Sequence, residues 1–167
     1  MRVYLPATFA SLKELSDTGE MVVQQGWGFA VTPALEEFYT VGDEEEIAHV
    51  AFQEAARASL RLLSLGTEHF PHRRVVVTVD VDDKQVTPTP ENGEAVVSLD
   101  PQRISFADLA ALHVDIGANE EATAQGVEAV HDADLGDEDA ELTVGDALDN
   151  FLAWYDPTEL NVLVALM

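Results

Sequence analysis

Residues 75–81 read Val-Val-Val-Thr-Val-Asp-Val, directly after Arg73-Arg74. A run this dense in β-branched residues, without Gly or Pro, is a strand buried on both faces. A strand with one wet face would alternate apolar and polar residues instead. Such a strand needs partners on both sides and cover above and below, so the rest of the chain has to supply further strands and helices.

Upstream of it they alternate. Val3-Tyr4-Leu5 reads as a first strand ended by Pro6. Thr8 caps a helix over residues 9–17, with Phe9, Leu12 and Leu15 at helical spacing and Thr18-Gly19 as its stop. Trp27 to Thr32 reads as a strand with Trp27, Phe29 and Val31 on one face and the small Gly28 and Ala30 on the other. Pro33 opens a short helix through Phe38. Asp43 then caps a helix that runs to about Ser64, and Glu44, Glu45 and Glu46 sit at the positive end of its dipole. Its apolar stripe is Ile47, Val50, Ala51, Ala55, Ala58, Leu62 and Leu65, with alanines in the middle that suit close packing on a sheet, and Gly66 ends it.

Downstream the pattern loosens. Residues 82–95 read as a polar loop with Pro88, Pro90 and Asn92-Gly93, and Val96-Val97-Ser98-Leu99 as a short edge strand. Leu109 to Ile116 ends in alternation, Leu112, Val114 and Ile116 against His113 and Asp115, the pattern of a half-buried strand. Asn119 begins an alanine-rich helix to about Val130, although Gly126 in its interior costs about 1 kcal/mol relative to alanine. Residues 132–141 read as an acidic loop. Residues 143–155 fit a helix after Thr143, but Phe151 to Asp156 fits a strand equally well. Asp156-Pro157 breaks either, and a last short helix holds Leu160, Leu163 and Leu166. The expected fold is a single layered α/β domain over residues 1–167, with α+β as the alternative, built on a mixed sheet of about five strands packed with helices.

The chain has 167 residues, a length that buries about 70% of the unfolded surface. With 47% apolar and 24% charged residues it has the composition of a folded domain. There is no cysteine, which excludes disulfides, thiolate metal sites and cysteine nucleophiles. Thirty-two Asp and Glu against eight Lys and Arg give a net charge of −24. No Lys or Arg follows Arg103, while 15 acids do. Such a field repels phosphate backbones and anionic lipid, so no direct nucleic-acid binding and no membrane association are expected. The start of the chain lacks an apolar leader, and no stretch approaches the about 18 apolar residues of a spanning helix, so the expected location is the cytoplasm. The acidity fits a solubilising surface, a basic protein partner, nucleic-acid mimicry, divalent cations or a saline cytosol.

Several blocks carry a family likeness. They are Met1-Arg2-Val3-Tyr4-Leu5-Pro6-Ala7-Thr8, Phe29-Ala30-Val31-Thr32-Pro33, Arg57-Ala58-Ser59-Leu60-Arg61, Arg73 to Val77, Ala111-Leu112-His113-Val114-Asp115, and Trp154-Tyr155 followed by Thr158-Glu159-Leu160. In that order they resemble an actinobacterial family, a domain of unknown function. The resemblance spans nearly the whole chain and implies a single-domain actinobacterial protein with no activity or site residues to carry over. Asp156-Pro157 departs from the proline-free run expected there.

Four constellations could carry chemistry. His113 and Asp115 project from one strand face, where the carboxylate would orient the imidazole and raise its pKa toward a general base, or the two are a solvent-facing polar pair. Glu54 with Arg57 and Arg61 is a helix salt-bridge set or the rim of an anion-binding site. Tyr155, Asp156 and Glu159 beside Trp154 could line a pocket, or be a core anchor with a polar turn. Asp132, Asp134, Asp137, Asp139 and Glu141 offer oxygen ligands for weak divalent-cation association, without EF-hand spacing. His69 and His72 lack a third ligand nearby. No phosphate-binding glycine loop, nucleophile elbow or zinc-protease helix occurs, and no cofactor is expected.

Three functions follow as expectations. The first is a non-catalytic interaction domain that meets a basic partner. The second is a small-molecule-binding protein or enzyme with a site near His113/Asp115 and Tyr155/Glu159, which needs Thr8, Thr32, Asp82, Asp115 and Asp156 at strand ends to converge. The third is stabilisation by divalent cations. The oligomeric state is left open.

Overall fold

The computed structural model describes residues 1–66 and 70–166. Its elements in chain order are β1 (Arg2–Ala7), α1 (Phe9–Thr18), β2 (Glu20–Val22), β3 (Trp27–Phe29), α2 (Pro33–Phe38), α3 (Glu44–Leu65), β4 (Val75–Asp80), β5 (Val86–Pro88), β6 (Val96–Leu99), β7 (Arg103–Ser105), β8 (Leu109–Asp115), α4 (Glu120–Asp134), α5 (Glu138–Leu148), β9 (Leu152–Tyr155) and α6 (Leu160–Ala165). The valine run is β4. It lies between β1 and β8 in a seven-stranded sheet of order β5-β6-β3-β1-β4-β8-β9, and Val75 to Val79 are all buried.

Each face of β4 feeds a different core. Val3, Leu5, Val75, Val77 and Leu112 point to the face covered by α1 and α6, where Phe9, Leu12, Leu15, Leu160 and Leu163 meet them. Phe29, Val76 and Val96 point to the other face, under Ile47, Ala51 and Ala55 of α3 and Leu35 of α2. Ala51 and Ala55 of α3 are 0% exposed, which is the close approach the sequence predicts. A third cluster joins Leu60 of α3 to Val127, Val130, Val144 and Ala147, so α4 and α5 form a hairpin packed on α3. A separate two-stranded ribbon pairs β2 with β7.

The α/β class holds, with differences in the sheet. It has seven strands where about five are expected, and every pairing is antiparallel rather than mixed. Hydrophobic period reports burial, not strand direction. Pro6 does not end β1. It pairs opposite Val76, while the ladder with β3 is confined to Tyr4↔Phe29, so Pro6 lies where no N–H is needed on that side. β6 is not an edge, because β5 forms beside it within the presumed loop. β3 stops at Phe29, short of Thr32.

The acidic stretch is no loop either. Residues 132–134 finish α4, Asp137 caps α5 by accepting from the N–H of Ala140, and only a short turn intervenes. The acids face water while Val130, Ala133, Val144 and Ala147 face inward. The ambiguous 143–155 segment is helix to Leu148 and strand from Leu152.

The unfavourable glycine of α4 has a packing reason. A Cβ on Gly126 would lie 3.0 Å from the Cβ of Ala147 and 3.4 Å from Leu60 Cδ1, so the hairpin closes only over a hydrogen atom. Gly126→Val is expected to destabilise by about 2 kcal/mol and to lower Tm by about 4–8 °C. Thermal unfolding followed by circular dichroism checks this, and an unchanged Tm would contradict the close packing.

Candidate functional site

The face of the sheet under α3 is only partly covered. Alternation along the strands puts Arg2 and Tyr4 of β1, Thr78 of β4, Ala111 and His113 of β8 and Trp154 of β9 on that face, in register through Tyr4↔Thr78, Thr78↔Ala111 and His113↔Trp154. These residues floor an open groove of about 960 Å³. Ala48, His49 and Phe52 of α3 form its wall, together with Glu44 and Glu45 of α3 and Glu36 of α2.

Aromatic rings hold the groove together. Phe52 meets His113 edge-on at 4.8 Å and Tyr4 edge-on at 5.8 Å, and the ring of His49 stacks on it at 6.2 Å. Trp154 is 61% exposed at the open side. His113 Nε2 and Thr78 Oγ1 are hydrogen-bonded at 3.0 Å. Burial pushes the His113 imidazole down to about 4, so the ring is neutral near pH 7. Burial also raises the Tyr4 phenol above its ordinary value, with Arg2 opposing and Asp80 adding to the shift. Arg2 is held by Asp80 through Nε and a terminal nitrogen, each at 3.0 Å.

The expected His113–Asp115 base is not built. The two share a strand, but Asp115 lies at the closed end and is tied to Arg74, whose side chain is 1% exposed. Asp115 Oδ2 accepts from Arg74 Nε at 2.9 Å, from the Arg74 backbone N–H at 2.7 Å and from Thr123 Oγ1 at 2.9 Å, and Oδ1 accepts from the other Arg74 nitrogen at 2.7 Å. Asn119 Nδ2 adds a contact at 3.3 Å. The imidazole pKa falls rather than rises because desolvation acts on it.

Tyr155 pairs with Leu112 and packs into the opposite core. It therefore cannot share a cleft with His113. Glu159 accepts from the backbone N–H of Asp156, and Asp156 accepts from Thr158 N–H and hydroxyl, so both acids shape the turn into α6. Thr8, Thr32 and Asp82 likewise sit at the N-caps of short helical segments, and in an antiparallel sheet the strand ends lie at both edges. They do not converge.

Arg57 and Arg61 do not form an open anion rim. Arg57 donates to Glu141 at 2.6 and 2.8 Å and to Asp134 at 3.1 Å, and Arg61 donates to Asp134 at 2.7 and 2.9 Å. These pairs tie α3 to the hairpin, raise the Arg57 pKa and hold Asp134 and Glu141 below their ordinary values. Asp132, Asp137 and Asp139 stay exposed, and no cluster of three or more metal-ligating residues occurs among the described residues. His72 is exposed, and His69 lies outside the described residues. No described helix is long and apolar enough to cross a membrane.

Tyr4, His49, Phe52 and Thr78 are the groove residues that sequence reasoning missed. For Tyr4 and Thr78 the signal was available as parity, since with Arg2 and His113 they are polar residues of largely apolar strands that fall on one face, whereas His49 and Phe52 reach it from α3.

The model of a family described as a family of unknown function (DUF6912) matches residues 1–164, and the chain belongs to that family. The expected kinship with a domain of unknown function is met at that level. No curated protein and no solved structure matches the chain.

Two measurements check the electrostatics. Removing one partner of the buried pair by Asp115→Ala is expected to cost about 3–5 kcal/mol in urea unfolding, and Arg74→Met/Asp115→Leu to cost less than that single change. A loss below about 1 kcal/mol for the single variant would contradict an obligatory pair. In an NMR titration the His113 ring should stay neutral until the pH nears about 4, and a midpoint at the ordinary 6.5 would contradict its burial. The linked stability has a definite sign. Between 6.5 and about 4 the unfolded chain binds the His113 proton and the native one does not, so stability falls as pH drops through that window.

Proposed function

We propose that this chain is a non-catalytic binding domain whose groove takes up a lysine- or arginine-bearing segment of a basic protein partner. The observation that carries this reading is an exposed indole, Trp154, in the same groove as the carboxylates of Glu36, Glu44 and Glu45. Aromatic faces and carboxylates together suit an ammonium or guanidinium group. The arginine in that groove, Arg2, is already held by Asp80, and His113 adds no positive charge near neutral pH. The net charge of −24 would speed encounter with a cationic partner.

A catalytic reading has less support. His113 is too weakly basic, and the carboxylate expected to assist it is locked to Arg74.

The test uses an oligolysine peptide and its fully acetylated counterpart, titrated against the parent protein by calorimetry. Binding of the unmodified peptide that weakens with salt is expected, with no binding of the acetylated one. Trp154→Ala and Glu44→Gln/Glu45→Gln should each weaken it by about tenfold while leaving the fold intact. Unchanged affinity in both variants would put the peptide elsewhere on the acidic surface and overturn the assignment to this groove.

A further inference from the structure

The apolar stripe of α3 does not end where the sheet does. Ile47, Ala51 and Ala55 are buried against strands, but Ala58, Leu62 and Leu65 continue the same stripe into a second pocket of about 330 Å³. Trp27 and Phe29 of β3 face them there, and Glu54 and Arg61 enter from α3. This pocket lies at the opposite end of α3 from the groove and shares no lining residue with it. Its makeup, mostly apolar with few polar groups, is that of a small-molecule site.

Glu54 is the unexplained group. It is half-buried and accepts no hydrogen bond from any described residue. Arg61, which also lines the pocket, is held by Asp134 through two nitrogens, and Arg57 by Glu141 and Asp134, so neither donates to Glu54. Burial, with Glu94 adding to it and Arg61 and Arg57 opposing, holds the Glu54 carboxyl above its ordinary pKa. On the pocket's other wall Gln25 takes a left-handed φ of 59°, the one non-glycine among the described residues to do so, and its side chain lines the cavity.

We propose that this pocket binds a small apolar amine, with its hydrocarbon part on Trp27, Leu62 and Leu65 and its ammonium group hydrogen-bonded to Glu54. An ammonium supplies the donors Glu54 lacks. An alcohol of the same length would supply one donor without the charge. A carboxylate would add repulsion.

Hexylamine, hexanol and hexanoate are the probes, titrated against a Trp154→Phe background so that fluorescence reports Trp27 alone. Saturable quenching is expected with hexylamine, weaker quenching with hexanol and none with hexanoate. Glu54→Gln should weaken hexylamine by about tenfold or more and leave hexanol unchanged. Absence of saturation, hexanol or hexanoate matching hexylamine, or Glu54→Gln leaving hexylamine unaffected would each overturn the proposal. Should Glu54→Gln not fold, the ranking of the three probes on the Trp154→Phe background still decides it. The oligolysine experiment reads the other groove, so either proposal can fail alone.

Discussion

The Arg74–Asp115 pair is the constraint on which the arrangement of the sheet and hairpin depends. Two charges out of water cost several kcal/mol each unless their hydrogen-bonding capacity is filled. Here it is filled from four directions. The Arg74 backbone N–H reaches the carboxylate, the Asp115 N–H reaches the Arg74 carbonyl, Thr123 and Asn119 donate from α4 and the turn before it, and the guanidinium donates on to the carbonyl of Asn150. The pair thus closes the β4–β8 ladder beside Val75↔Val114, seats the start of α4 and fixes the entry to β9. A register slip of one residue would leave a buried charge unpaired, a penalty much larger than any apolar contact could offset.

The same economy of cations explains the surface. Among the described residues, seven of the eight Lys and Arg side chains form ion pairs: Arg2, Lys13, Arg57, Arg61, Arg73, Arg74 and Arg103. Most of these join different elements, as Arg73 does in reaching Glu120 of α4 while lying over the ring of Phe9. The positive charge is therefore used inside the architecture, and the remaining carboxylates set the external field. Groups that can neutralise that field from outside are cations, which favours amines and basic segments over phosphates as ligands.

What could be read from the sequence was local. Caps and period located α1, α2 and α3, and Asp43 caps α3 as expected, with Glu46 completing a capping box. Three-residue strands such as β2 and β7 carry too few side chains for a period, and their pairing is between residues more than eighty positions apart. The acid-rich end of α4 and start of α5 looked like a loop because charge masked a stripe of small residues. His113 was singled out, but its neighbours in space come from β4 and α3, so its environment could not be inferred from Asp115 two positions on. Asp115 was paired in sequence with the wrong group, its true partner Arg74 lying 41 residues earlier.

Both cavities follow from a mismatch of widths. Seven strands at about 4.8 Å spacing make a sheet about 29 Å across. A helix is only about 10–12 Å wide. On one face α1, α6 and the β2–β7 ribbon, through Met21 and Ile104, share the cover. On the other, α3 lies over the middle, α2 adds one buried leucine, and the α4–α5 hairpin stacks on α3 rather than on the strands. Strand surface is left open beyond each end of α3. At the N-terminal end the exposed floor is polar and aromatic beside an acidic helix start. At the C-terminal end it is mostly apolar, with Glu54 and Arg61 reaching in. The fold thus leaves two cavities along a single helix, one lined by polar and aromatic groups and one mostly apolar, with the buried Ala51 and Ala55 holding α3 close to the sheet.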